Sequence, residues 1–450
     1  MKRVLCVLLS ALICIAVFSG CTDKSEPLRV LVDADGADWE VNSCKGIMEE
    51  FLKSVEAMGG PSNVELEVLP ALGDAREAAI DRIRTEIMSG SGPDVFIVRS
   101  DVGGNLRELL FPIAEKALEN GFFLPLDDYI EKAQFMEWDK HTKAIMDAGR
   151  NEYGQQIIPL MYTIPLTFYR EEDIPEVKTG VETTWQDMIE DKSGILSTAA
   201  TWNHRKFEAF HFAHADNHYI EYILGDFADY ESDKLLFSEE ELLERTTEVL
   251  EMEKAYEEKA FTDIPHYQTP MFIGYDYDVQ YGQSINFWRD TRANGDPYNG
   301  IRYKDVQTMI PIYSDDGGVT ATVSAFAAIN GNTKYAEDAF FILDLLLSPM
   351  YQQGFDLYDE FFVSLTPGIP VHEDLMQKAY PIRKIFFITD ENYKEYSRVR
   401  DQITRVYFRG AMMEVFDEMY SQCRHADDKG KDIVPIISEH YGKLKQMIAE

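Results

Sequence analysis

The chain has 450 residues, 45% of them hydrophobic, which is more than one compact core of ordinary size uses and implies two or more packed units. Its 43 basic residues face 79 acidic ones, a net charge of −36, and the basic residues form no stripe that could neutralise phosphates, so nucleic acid is excluded as a partner. With 26 Phe, 24 Tyr and 5 Trp spread along it, the sequence also lacks the composition of a disordered chain.

At the start, Lys2 and Arg3 precede an apolar run over residues 4–18 that only Ser10 interrupts, and Ser19 and Gly20 lead into Cys21. The run reads as a secretory signal, because its length of about 15 residues falls short of the roughly 20 that a permanent membrane span needs. The string Phe18-Ser19-Gly20-Cys21 resembles the bacterial lipobox, in which the Cys receives a lipid and the chain is cut just before it; Phe18 stands where that motif usually has Leu. The resemblance implies a protein anchored at Cys21 to the outer face of the cell membrane. Removing residues 1–20 takes away Lys2 and Arg3 and no acid, so the exported part is two charges more negative. Cys6 and Cys14 leave with the signal. The remaining pair, Cys44 and Cys423, is too sparse for a disulfide framework or a zinc site; a single bridge stays open, with two buried free thiols as the preferred reading.

After a polar tether over residues 22–27, a strand and helix rhythm begins. Residues 29–32 read as a largely buried strand, and residues 41–58 as a helix with Ile47, Met48, Phe51 and Leu52 inward. Residues 64–69 form the next strand. Residues 78–88 place Ile80, Ile83, Ile87 and Met88 on one helical face, the stretch 89–92 stops that helix, and 94–98 is a third strand. This β-α-β-α-β order implies an α/β protein with a parallel, doubly wound sheet. Further on, Pro159 and Pro165 bracket an apolar extended run, which suits a stiff strand-like connection. Residues 239–260 read as a long charged helix, and residues 433–448, with Ile436, Ile437, Tyr441, Leu444 and Ile448 in register, as a terminal helix. The longest later apolar stretch, residues 340–347, is broken by Asp344 and spans no membrane.

The segment AIDRIRTEIMSGSGPDVFIV (79–98) resembles the helix, Gly-Pro-Asp turn and strand of extracellular solute-binding proteins of ABC importers, in their maltose-binding-like sugar group. Five more segments follow in that family's order: FLPLDDYI (123–130), YGQQIIPLMYTIPLTFYR (153–170), TWQDMI (184–189), SINFWRD (284–290) and the stretch 319–355. The resemblance implies a two-lobed, type II, periplasmic-binding-protein-like fold with a hinge and an interlobe cleft. Carried onto this sequence, lobe one is residues 28–160 plus 319–365, and lobe two is residues 161–318 plus 366–450. It further implies a non-enzymatic monomer that carries a small-molecule ligand, a carbohydrate, to ABC permease subunits, with no cofactor.

In an open α/β sheet, ligands sit beyond the carboxyl ends of the strands. Four places follow. After the first strand, Asp33, Asp35 and Asp38 could accept from sugar hydroxyls and Trp39 could stack; the alternative is a set of acids complementing a helix N-terminus, with Trp39 in the core. After the third strand come Arg99 and Ser100, in the family's ligand-facing position. An Arg here can donate to two hydroxyls or a carboxylate, unless it bridges structurally to Asp101 or Asp33. In lobe two, Trp202 and Asn203 close a strand and open a helical stretch, where a flat ring covers C–H faces and an amide holds hydroxyls. Trp288 ends another strand, with Arg289 beside it; cleft and core both remain open for the two tryptophans. Tyr162, near the crossing, completes the set, and Tyr275 is a weaker candidate because 271–284 departs from the family's small-residue helix start.

Other clusters point elsewhere. His211, His214 and His218 share one helical stripe and could hold a metal, but Phe207 begins the same stripe, and partly buried or surface histidines are the preferred reading; no metal is expected. The Asp33-Ala34-Asp35-Gly36 string lacks the acid that closes a calcium loop, since Cys44 stands at that place. Two rival functions remain: the same fold carrying an acidic sugar, a peptide or a polyamine, and a surface-anchored glycan-degrading enzyme, for which a pair such as Asp35 with Asp276 would have to flank the scissile bond.

Overall fold

A computed structural model describes residues 26–33, 38–100, 109–169, 183–184, 186, 224–260, 271–275, 308–314, 317–349, 369–373, 394 and 397–449. The early rhythm is present: β1 (Leu28–Val32), α1 (Asp38–Ala57), β2 (Val64–Val68), α2 (Asp74–Met88) and β3 (Val95–Arg99) follow in order. β1 pairs in parallel with β2 and with β3, Leu28 opposite Val64 and Val30 opposite Val95. All five residues of β3 are buried, the continuous apolar run expected of a strand covered on both faces. Gly90 and Gly92, at φ 79° and 105°, take the left-handed backbone that ends α2.

From here the chain runs through β4 (Ile157–Thr163), β5 (Pro165–Tyr169), α3 (Glu239–Ala260), β6 (Met271–Tyr275), β7 (Thr308–Tyr313), β8 (Val319–Ile329), α4 (Ala336–Leu346), β9 (Ile369–Pro370), β10 (Ile403–Phe408), α5 (Ala411–Asp427) and α6 (Val434–Ala449). The first sheet has the order β9-β4-β8-β3-β1-β2, with β10 also on β8; the second has β6-β5-β7 and the short strand Thr183–Thr184. A wholly parallel first sheet was expected from β1 to β3, and this needs correction. β8 runs antiparallel to β3 and to β4, because it enters from the second sheet at the end toward which β1, β2 and β3 point. Residues 366–450 were expected with lobe two, yet β9 pairs with β4, and β10 pairs in parallel with Val319 to Val323 of β8. β10 therefore lies in line with β3 along one side of β8 and belongs to the first sheet.

Two crossings join the sheets. The outgoing one passes from β4 to β5 through Ile164 alone; the return passes from β7 to β8 through residues 314–318. Thr163 faces Thr322 in one sheet and Leu166 faces Pro311 in the other, so the return path is the longer and must be taken up. A turn does so, with the Ser314 amide donating to the Gly318 carbonyl at 2.9 Å. Gly318, at φ 75°, permits the closure, and a Cβ there would collide with the Thr404 side chain.

The main core fills the first lobe, with Phe96, Phe111, Phe123, Phe326 and Phe408 in edge-to-face and tilted contact at centroid distances of 5.0 to 6.3 Å. A second core joins Leu242, Val249 and Leu250 of α3 to Phe416 and Tyr420 of α5 and Ile437 and Leu444 of α6. Cys44 and Cys423 are buried free thiols, and burial pushes both up to about 12. No described helix is long and apolar enough to cross a membrane.

Asp344 shows why a charge interrupts the apolar run of α4. It is buried, and its carboxylate accepts from the amides of Gln134, Phe135 and Met136 at 2.7, 3.0 and 2.8 Å. Asp344→Ala leaves these donors without their acceptor and is expected to lower stability by about 3 kcal/mol or more, read as the shift in guanidinium unfolding midpoint; Asp344→Asn keeps an acceptor and loses less. Glu115 is a second, partly buried carboxyl, accepting from the Phe408 amide at 3.0 Å, and desolvation pushes it up to about 7. A carboxyl raised on folding stabilises below its unfolded value and loses that contribution as pH climbs to 7. Denaturant midpoints of Glu115→Gln and the wild type are therefore expected to converge near pH 4.5, the variant being the more stable at pH 8.

Candidate functional site

The strands β1, β2, β3 and β4 all point the same way, so their carboxyl ends gather at one edge of the first sheet, where β8 begins. Asp33 follows β1 directly. Its buried carboxylate is held by Arg76 of α2 in a fork, Nη1 to Oδ1 and Nη2 to Oδ2 at 2.8 Å each, and Nη1 also donates to the Pro70 carbonyl at 3.1 Å. Asp33 is thus committed to an internal pair with Arg76 instead of facing a ligand, and of the two structural partners considered for Arg99 it is already occupied. Arg76 lies on the stripe of Ile80, Ile83 and Ile87, the buried face of α2. A cation on an apolar helical face is the sequence signal that could have revealed it.

Arg99, Ser100 and Tyr162 come together around residues 323–325 of β8. Arg99 ends β3 opposite Ala325 and is 2% exposed. The Ser100 hydroxyl donates to the Val323 carbonyl at 2.6 Å and its amide to the Ser324 carbonyl at 2.9 Å, which ties the end of β3 to the entry of β8. Tyr162 stands opposite Val323 on one side and Ile369 on the other, fully buried. Buried hydroxyls of Thr320, Thr322 and Ser324 line the same stretch of β8, and Thr320 Oγ1 meets Ser314 Oγ at 2.8 Å.

Sequence reading missed a polar strap over both crossings. On the return crossing, the Tyr313 hydroxyl donates to Gln402 Oε1 at 2.5 Å, Arg398 donates to both groups at 3.0 and 3.1 Å, and the Val319 amide donates to the Gln402 carbonyl. Beside the outgoing crossing, Arg400 lies within electrostatic range of Tyr162 of β4 and pairs with Asp401 at 3.1 Å. The segment 397–404 carries no motif that would have marked it.

Asp38 begins α1, and Tyr275 ends β6; only their backbones are described. Asp35, Trp202, Asn203, Trp288, Arg289, the lipobox Cys21 and the histidines 211, 214 and 218 lie outside the described residues, as do Asp101 and Asp276. Among the described residues no group of three or more His, Cys, Asp or Glu side chains could hold a metal ion. What the edge offers is a set of buried, positioned donors and hydroxyls at the point where two sheets are joined, an arrangement suited to holding polar ligand groups.

No protein-family model matches the sequence, and no curated protein matches it. Solved structures do. An extracellular solute-binding protein family 1 member from Alicyclobacillus acidocaldarius superposes with a TM-score of 0.58 at 13% identity, covering 95% of this chain and 100% of its own. The cyclic alpha-maltosyl-1,6-maltose binding protein from Arthrobacter globiformis gives 0.55 at 12% identity, covering 94% and 99%. A periplasmic oligogalacturonide binding protein from Yersinia enterocolitica gives the same values of 0.55, 12%, 94% and 99%. The chain has the two-lobed, type II fold of these solute-binding proteins.

The Asp33–Arg76 pair carries a clear expectation. Arg76→Ala strands a buried carboxylate and is expected to cost about 3 to 5 kcal/mol, whereas the double change Asp33→Leu with Arg76→Met removes both charges and is expected to cost far less; urea unfolding of the three proteins makes the comparison.

Proposed function

We propose that this protein is the extracytoplasmic substrate-binding component of an ABC importer, which captures a sugar or oligosaccharide between its lobes and delivers it to the membrane permease. The observation that carries the reading is the pair of antiparallel crossings beside a collected edge of strand ends, in a fold shared over nearly the whole chain with proteins named for the oligosaccharides they bind. Each lobe supplies part of the contact set, so closure about the crossings is stabilised only when a ligand bridges both. Arg99, Ser100 and Tyr162 are the lobe-one contacts of this proposal, with Asp35 and Asp38; Trp202, Asn203, Trp288 and Arg289 are those of lobe two. The protein works as a monomer held by a lipid on Cys21, binds without catalysis, and needs no cofactor or metal.

A second reading, a uronate-containing oligosaccharide, draws on Arg99, a buried guanidinium at the strand-end edge that suits a bidentate carboxylate. The two are separated by thermal unfolding of the mature chain against neutral sugars, sugar acids, peptides and polyamines. A ligand at a hundred times its Kd adds about 2.7 kcal/mol to folding and raises the midpoint. A shift with a peptide and none with any saccharide at millimolar concentration would sink the sugar reading, and release of reducing ends from a glycan would restore the enzyme.

Trp288→Ala tests the lobe-two half. An aromatic ring stacked on a sugar contributes about 1 kcal/mol beyond its buried area, so the variant is expected to bind at least tenfold more weakly by calorimetry while its unfolding midpoint without ligand is kept. Unchanged affinity removes Trp288 from the site.

A further inference from the structure

Seven large apolar side chains stand exposed among the described residues, and four of them, Met58, Met88, Phe122 and Tyr153, occupy one end of the first lobe. Topology places them there. Met58 follows α1 where the chain turns to enter β2, and Leu28 and Val64 start their strands side by side. Met88 ends α2 just before β3, whose start lies against the same end of β1. Phe122 sits at the finish of β8, its carbonyl accepting from the Gly331 amide at 2.9 Å, while Asn330 reaches across to the Ser91 and Pro93 carbonyls at 3.0 Å. Tyr153 tips the turn that leads into β4, whose start faces Ala328 near the same finish of β8. Met88 is 82% exposed and Tyr153 62%. This is the pole opposite the strand-end edge.

The amino terminus leaves from the same pole. Glu26 is held there by Lys334, and the Tyr335 hydroxyl donates to its carbonyl at 2.6 Å. From Glu26 back to Cys21 there are five residues, which reach about 18 Å at full extension. A lipid on Cys21 would hold this pole within that distance of the bilayer.

We propose that this pole is a membrane-resting face, with Met58, Met88, Phe122 and Tyr153 seated in the headgroup layer of a zwitterionic lipid surface. The inference rests on the anchored reading of Cys21. A tethered apolar face needs little affinity of its own, since each side chain gains by leaving water and the tether supplies the local concentration. Glu119 and Glu152 lie within electrostatic reach of one another beside Tyr153, and this pair of acids at the Tyr153 corner disfavours anionic headgroups there.

The test holds the mature chain, with Cys21→Ser and a hexahistidine in place of residues 1–20, on phosphatidylcholine vesicles carrying a nickel-chelating lipid. Amide hydrogen exchange over residues 58–63, 88–92, 120–123 and 151–154 is expected to slow at least threefold relative to the free protein, with no change around Leu236 and Val434. The double variant Met88→Ser with Tyr153→Ser, at positions exposed enough to leave the unfolding midpoint in place, is expected to lose that slowing. Exchange unchanged at the pole, slowing spread equally to Leu236 and Val434, or greater slowing on anionic vesicles overturns the proposal. Intact mass of the membrane-extracted native chain reads the acylation of Cys21 separately, so failure of the anchor is not confused with failure of the face.

Discussion

The organising constraint of this molecule is that two antiparallel strands pass from one sheet to the other by paths of unequal length. The outgoing path has only Ile164 between Thr163 and Pro165, while on the longer return path Ser314 is hydrogen-bonded to Gly317 and Gly318, and register is kept on both sides. The outgoing link is short and bounded by Pro165, and the return path is fastened to Gln402 by hydrogen bonds from Tyr313 and Val319. Relative movement of the two sheets is thereby confined to few degrees of freedom, and the strand-end edge beside the crossings inherits that confinement.

The edge itself is held by contacts on each of its sides. Ser100 joins β3 to β8, the Asp33–Arg76 fork closes the gap between β1 and α2, and the Tyr313–Gln402–Arg398 group fastens the return crossing. Prepositioned donors lower the ordering cost of binding. The buried carboxylate of Asp33 illustrates how such an edge is kept: a charge that looks available in the sequence is consumed in fixing the scaffold that presents its neighbours.

Much of this was legible in the residues. Periodicity located α1 and α2 and the three strands that alternate with them, the apolar stripe of 433–448 located α6, and the bracketing prolines at 159 and 165 marked a strand-like connection. What periodicity cannot express is pairing between distant segments. The antiparallel entry of β8 and the attachment of β10 depend on which edge is free in the assembled sheet, and Arg76 finds Asp33 across 43 positions. Short apolar runs such as 403–408 carry no mark of the sheet they will join. The position of Arg99, Ser100 and Tyr162 at the strand-end edge was readable because strand ends are readable; the strap at 397–404 was not, because it is defined by position alone.

The placement of β10 bears on the order in which the molecule can form. The first sheet takes strands from residue 28 to residue 408, so it remains unfinished until nearly the whole chain has been synthesised, and its β3–β8 pairing joins Arg99 to Ala325 across 226 positions. Contacts of such long separation form slowly. A polypeptide built in this way keeps its first sheet open for most of its synthesis, and the last described strand to arrive, β10, is the one that covers the free side of Val319 to Val323 on β8.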